Sequence, residues 1–194
     1  NESNNWSKST LNTELNGTYL STLLATSGVN SKLSSAIVIS KWHLGGASSS
    51  NYQTLTAEGI YTEERNTSAI YSGNPASIYA KVGLMYPSDY GYATVGGSTT
   101  SKANCRAKEL YNDCKNDDWI FKSATFVNFI EWFISPIASY SNYVSRLNSD
   151  GSVKVFNHVV NNHYAVRPTF YLDSSILKIV GTGDGTKDNA YRIG

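Results

Sequence analysis

Apolar positions near the start of the chain recur at helical spacing, and those of the middle and end gather in short runs. In NNWSKSTLNTELNGTYLSTLL, Ser9 is placed to cap a short helix through Leu15, with Asn16-Gly17 as a left-handed stop. Thr18 then caps a second turn whose Leu20, Leu23 and Leu24 fall three or four residues apart and form a core-facing stripe. Ala36–Leu44 (AIVISKWHL) reads as a buried strand ended by Gly45-Gly46. Thr56–Arg65 predicts a helix despite Gly59, with Ile60 and Tyr61 inward and Glu58, Glu63 and Glu64 in solvent. Ser77–Tyr86 is a second strand, broken by a turn at Pro87-Ser88-Asp89. Near the end, Leu177–Val180 and Ala190–Ile193 make two short strands around a Gly-Asp-Gly-Thr turn.

The richest stretch lies between Trp132 and Leu172. Apolar runs at Trp132–Ile137, Tyr143–Leu147 and Val153–Phe156 lead to a fourth, Ala165–Leu172. Asn148-Ser149-Asp150-Gly151 suits a type I turn followed by a glycine at positive φ, which makes a three-residue hairpin loop. That loop pairs Leu147 with Val153, putting Tyr143, Ser145, Leu147, Val153 and Val155 on one face. Val144, Arg146, Asn148, Lys154, Phe156 and His158 take the other. A two-residue loop would set Leu147 against Lys154 and mix core with solvent, because a slip of one residue flips every side chain.

Composition narrows the class of work. The chain has 194 residues and a formal net charge of +1, with few charged residues and many aromatics, Tyr above all. One well-buried core fits that length, and no linker divides the chain, so residues 1–194 read as a single domain of the α+β class. Without a basic run there is no phosphate-binding face, which argues against nucleic acid. No apolar run approaches the roughly 20 residues of a membrane span. No signal peptide is visible, and a chain opening Asn-Glu-Ser reads as a fragment or processed form.

Candidate chemistry is sparse. Glu58, Glu63 and Glu64 have no partner acid, base or nucleophile at a recognisable spacing, so they read as a solvated helix face. Asp117-Asp118 lacks calcium-loop spacing and reads as a capped turn. Cys105, Cys114, His43, His158 and His163 show no zinc spacing. Gly181, Gly183 and Gly185 do not form a phosphate loop. No metal and no cofactor are therefore expected. Cys105 and Cys114 instead suit a disulfide closing a short polar loop, which would stabilise by about 2–3 kcal/mol. Between Ala138 and Tyr164, more than half of the residues are Asn, Ser, Tyr or His, the mixture of adaptable hydrogen bonds and rigid rings found at recognition surfaces. Tyr140, Asn142, Arg146, Phe156, His158, Asn161, Asn162 and His163 are the expected ligand-binding positions.

Several motifs carry a family resemblance. They are Trp132-x-x-Ser135-Pro136, Arg146-Leu147-x-Ser149-Asp150-Gly151, Ala165-Val166-Arg167-Pro168, and the tail Lys178-Ile179-Val180-Gly181-x-Gly183-Asp184-Gly185-Thr186. Asn16-Gly17-Thr18-Tyr19, Trp42-His43-Leu44-Gly45-Gly46 and Gly83–Tyr92 add to them. Their order resembles bacterial domains of the C-type-lectin-like, formylglycine-generating-enzyme-like fold. Such domains occur in surface and pilin-like proteins of Gram-positive gut bacteria and in phage or retroelement variable proteins. The resemblance implies small antiparallel sheets, two or three short helices, terminal strands that meet, and a loop-rich lobe over Trp132–Tyr164. It implies a structural role for Arg167, which needs a carboxylate partner if buried. The Glu-Pro-Asn, Gln-Pro-Asp and Trp-Asn-Asp motifs of calcium-dependent lectins are absent, and so is the late cysteine pair of the formylglycine-generating enzymes.

The resulting expectation is a non-enzymatic, extracellular or cell-surface domain that binds a protein or glycan, with the Asn, Tyr and Ser set resembling a diversified surface. The alternative of a different class is a structural subunit of a pilus or surface filament.

Overall fold

The computed structural model describes residues 3–25, 34–52, 54–94, 105, 113–123, 130–154, 160–174, 182–183 and 189. It is a mixed α+β structure of small antiparallel sheets and short helices. Strand β4, Glu131–Pro136, lies at its centre and is buried at every position. Alternate side chains leave a strand on opposite faces, so Trp132 and Ile134 enter one apolar cluster while Phe133 enters another, together with Ile137 just beyond the strand. That explains the lack of apolar–polar alternation through Trp132, Phe133 and Ile134, since a strand covered on both faces has no solvent side to alternate with.

The remaining elements in chain order are α1 (Thr10–Glu14), a π turn (Leu15–Tyr19), α2 (Leu20–Ala25), β1 (Ser40–His43), α3 (Ala57–Arg65), β2 (Ser77–Ala80), β3 (Val82–Leu84), α4 (Pro87–Tyr92), α5 (Trp119–Ser123), β5 (Val144–Leu147), β6 (Val153–Lys154) and β7 (Pro168–Phe170). Strand β4 pairs with β5 and β5 with β6; β1 pairs with β2, and β3 with β7, all antiparallel. A bridge between Ile37 and Leu172 ties the early chain to its late part. Among the described residues no helix is long and apolar enough to cross a membrane.

Local expectations met tertiary structure with mixed results. Ser9 caps α1, its hydroxyl accepting from the Asn12 amide, and Thr56 caps α3 in the same way through Gly59. Leu147 faces Val153 and Gly151 has φ +81°, the hairpin register expected. Asn16-Gly17 is not a stop. The helix passes through it as the π turn, and the Asn16 carboxamide turns outward instead. It accepts from the Lys81 and Val82 amides and donates to the Val82 carbonyl. That contact lies where the expected single strand Ser77–Tyr86 divides into β2 and β3, which pair with different partners. The first strand is shorter than Ala36–Leu44, and Ile39 is 65% exposed.

Pro87 opens a helix rather than a turn, because proline at the first helical position loses no hydrogen bond. Tyr61 is not inward but 42% exposed, and Glu64 is not in solvent but fully buried. At the α3–α4 junction Glu64 accepts from the Ser88 amide and hydroxyl and from Arg65. The two short strands expected at Leu177–Val180 and Ala190–Ile193 lie outside the described residues.

Candidate functional site

Asn4 organises the loop that carries the expected binding residues. Its side-chain amide donates to the carbonyls of Ile137, Tyr140 and Tyr143, and its carbonyl oxygen accepts from Asn74. Its backbone amide donates to Ser141. One buried carboxamide thus holds together the N-terminal segment, the 71–74 turn and the 137–143 loop. Sequence reading missed this residue, because a short-range pattern carries no signal for contacts more than a hundred positions away.

The loop's far side is joined to the next polar segment by the Val160 amide, which donates to the Asn142 carbonyl at 3.0 Å. This sets Asn142 beside Asn161, Asn162 and His163, the last three exposed and Asn142 half-buried. Arg146 donates to the Tyr164 hydroxyl at 2.8 Å and lies 5.1 Å from its ring centroid, while Tyr164 packs on Trp132 at 4.6 Å. Arg146 is therefore half-buried in a stack of rings rather than free in solvent, with its Nε buried and unpaired. Tyr140 stacks on Tyr143 at 4.8 Å, and both rings pack against the core cluster that holds Phe133. Phe156 and His158 lie outside the described residues. The structure thus brings Asn142, Arg146, Asn161, Asn162 and His163 to one region and turns Tyr140 toward the interior.

Next to this region opens a cleft of about 780 Å³. Its walls are the Ser3–Leu11 segment, the 71–74 turn, Leu84, the Trp132–Ile134 part of β4, Val144 and Val160. Its lining mixes apolar residues such as Leu84, Val144 and Val160 with polar ones such as Thr10, Ser72 and Lys8. That volume lies within the range of small-ligand clefts. Trp6, in a short 3-10 turn capped by Asn5, is buried, and its indole N–H has no hydrogen-bond partner. An unpaired buried donor costs about 1–3 kcal/mol.

Other expected chemistry is placed as follows. Arg167 donates to Glu131 at 2.9 Å, the carboxylate partner that a structural arginine requires, although it is a third exposed. Burial raises the Glu131 carboxyl above its ordinary range against the pull of Arg167. Asp118 is buried and caps α5 by accepting from the Phe121 amide. Cys105 is buried and is not a free thiol; the side chain of Cys114 lies outside what is described. Among the described residues no group of three His, Cys, Asp or Glu side chains is placed to hold a metal ion. Glu64 and Ser88 form a buried acid–hydroxyl pair, but neither reaches solvent, and the pair joins two helices. No known family model matches the chain, and no curated protein or solved structure was found similar to it.

Proposed function

We propose that this chain is an extracellular ligand-recognition domain on a C-type-lectin-like scaffold. Its binding face is the region of Asn142, Arg146 and Asn161–His163 together with the adjoining cleft. The observation that carries the reading is the cleft itself, an amphipathic hollow of about 780 Å³ beside exposed Asn and His side chains. Hydrogen bonds of Asn4 tie the N-terminal side of the cleft to the 71–74 turn and to the 137–143 loop, which supports a preorganised face, and preorganisation lowers the entropic cost of binding. The bridge joining Ile37 to Leu172, the short flanking helices and the loop-rich lobe support the scaffold. A Cys105–Cys114 disulfide belongs to the same reading, since oxidised pairs persist outside the cell.

An array of glycans and extracellular proteins, probed with the purified domain, tests the proposal. A specific ligand is expected, with binding weakened by Asn142→Ala, Asn162→Ala or His163→Ala at unchanged melting temperature. Failure to capture any ligand, or a ligand indifferent to all three substitutions, would overturn it.

A further inference from the structure

We propose that Arg146 and Lys154, paired across the outer face of the β5–β6 hairpin, are the docking point for an acidic protein partner, whose Asp or Glu carboxylate sits across the two cations. This rests on the reading that the lobe binds a ligand, and it gives that ligand its class. Arg146 and Lys154 are register partners, so their side chains leave the hairpin on one face, opposite the buried Leu147 and Val153. Like charges set directly across two strands repel each other, and an anion between them relieves the repulsion. Arg146 has no ion-pair partner among the described residues. Its one side-chain hydrogen bond goes to the neutral Tyr164 hydroxyl, and its buried Nε has none. Partial burial disfavours its charge, against the pull of Tyr164 and of Asp150. Asp150 lies at the hairpin tip, where its Oδ1 is already taken by the Ser152 amide and hydroxyl. A half-buried guanidinium without a carboxylate carries a desolvation cost that a carboxylate brought to it offsets.

A protein surface fits this place better than a small molecule. Neither cation is among the residues that line the cleft beside β4. Small ligands are held in hollows that enclose them, whereas an open strand face is read by a partner large enough to cover it. An arginine fixed against an aromatic ring suits the energetic centre of a protein interface, because its fork is already oriented when a carboxylate arrives. Tyr164 supplies that fixing: its ring lies 5.1 Å from the Arg146 guanidinium and packs in turn on Trp132.

The test is NMR titration of the isotope-labelled domain with acetylated hexaglutamate, with hexaglutamine and with a glucuronate disaccharide. Hexaglutamate is expected to bind about tenfold tighter than hexaglutamine, to shift the Arg146 guanidinium resonance, and to bind more weakly as salt rises. Arg146→Lys keeps the charge but loses the fork, and is expected to weaken hexaglutamate severalfold; Arg146→Gln should cost about tenfold or more. Lys154→Glu turns the like-charge pair into an opposite one. It is therefore expected to abolish hexaglutamate binding at an unchanged or raised melting temperature, which separates docking from a structural role even where Arg146→Gln weakens the fold. Hexaglutamate that binds no better than hexaglutamine, or that binds the Lys154→Glu protein as well as the parent, would overturn the proposal, and so would tighter binding of the glucuronate disaccharide. If the array instead yields a ligand sensitive to His163→Ala and indifferent to Arg146→Gln and Lys154→Glu, the recognition reading stands and the acidic docking point falls.

Discussion

Asn4 shows how one side chain can fix the geometry of a distant loop. Its amide group donates to three carbonyls, so the residue tolerates neither loss of the group nor reversal of its polarity. Asn4→Ala is expected to lower stability by about 1–3 kcal/mol, because the buried carbonyls lose their donor. Asn4→Asp should cost more, since it faces carbonyl oxygens with a carboxylate. Urea denaturation of the two variants checks the order, and an aspartate as stable as the alanine would refute it. Glu64 makes a second prediction at this scale. Burial pushes its carboxyl up to about 8, against the pull of the Ser88 donors and Arg65. In the unfolded chain it returns to about 4.5. Between those values the native state holds a proton that the unfolded state has released, so stability falls as pH rises from about 4.5 to about 8 and levels off above. The loss is on the order of a few kcal/mol. Urea midpoints across that range should decline in the parent and flatten in Glu64→Gln; an unchanged slope in the variant would assign the effect elsewhere.

At the scale of elements, what was legible in the sequence is what local chemistry decides alone. The Ser9 cap and the Asn148–Gly151 turn each depend on residues within four positions, and each formed as read. The hairpin also has long-range fastenings that no local pattern announces: the Tyr90 hydroxyl donates to the Gly151 carbonyl and Lys115 donates to that of Asp150. The misread elements are those where a tertiary partner outbid propensity. Asn16-Gly17 reads as a stop, but the Asn16 carboxamide bonds the β2–β3 junction better than it would cap a helix end. Glu64 reads as solvent-facing until α4 is packed against α3. Gly45-Gly46 was read only as a strand end, yet it is a close approach: a Cβ on Gly46 would meet the Pro136 carbonyl oxygen at 1.8 Å. Gly46→Ala should therefore push β4 away and destabilise severely, while Gly17→Ala, with open space around it, should be neutral or slightly stabilising. Thermal melts of the pair decide this. The candidate site was legible only in part, because Asn142, Arg146 and Asn161–His163 could be picked out from their composition while Trp6 and Lys8, which line the adjoining cleft, come from far upstream. Their membership depends on how the N-terminal segment crosses β4.

At the scale of the whole molecule, β4 is the wall between two apolar clusters, and that arrangement fixes how the domain comes apart. Phe133 is buried with Leu55, Ile60, Tyr90, Leu147 and Val153, whereas Ile134, its immediate neighbour, is buried with Trp6, Leu15, Trp42 and Leu84. Neither cluster can be exposed while the strand keeps both faces covered, and losing the strand opens both. Unfolding should therefore be a single cooperative transition, the behaviour of one domain rather than of two cores joined by a strand. Phe133→Ala is expected to cost about 3–5 kcal/mol and Ile134→Ala about 2–5 kcal/mol. Both substitutions should shift one common urea midpoint seen alike by far-ultraviolet circular dichroism and by tryptophan fluorescence. Trp6, Trp42 and Trp132 all belong to the Ile134 cluster, so fluorescence reports chiefly on that side. Phe133→Ala moving the fluorescence transition as far as the dichroism transition would establish that the strand couples the two clusters. A Phe133→Ala protein whose fluorescence midpoint stays at the parent value while its dichroism midpoint falls would show two independent cores, and the single-domain description would have to be abandoned.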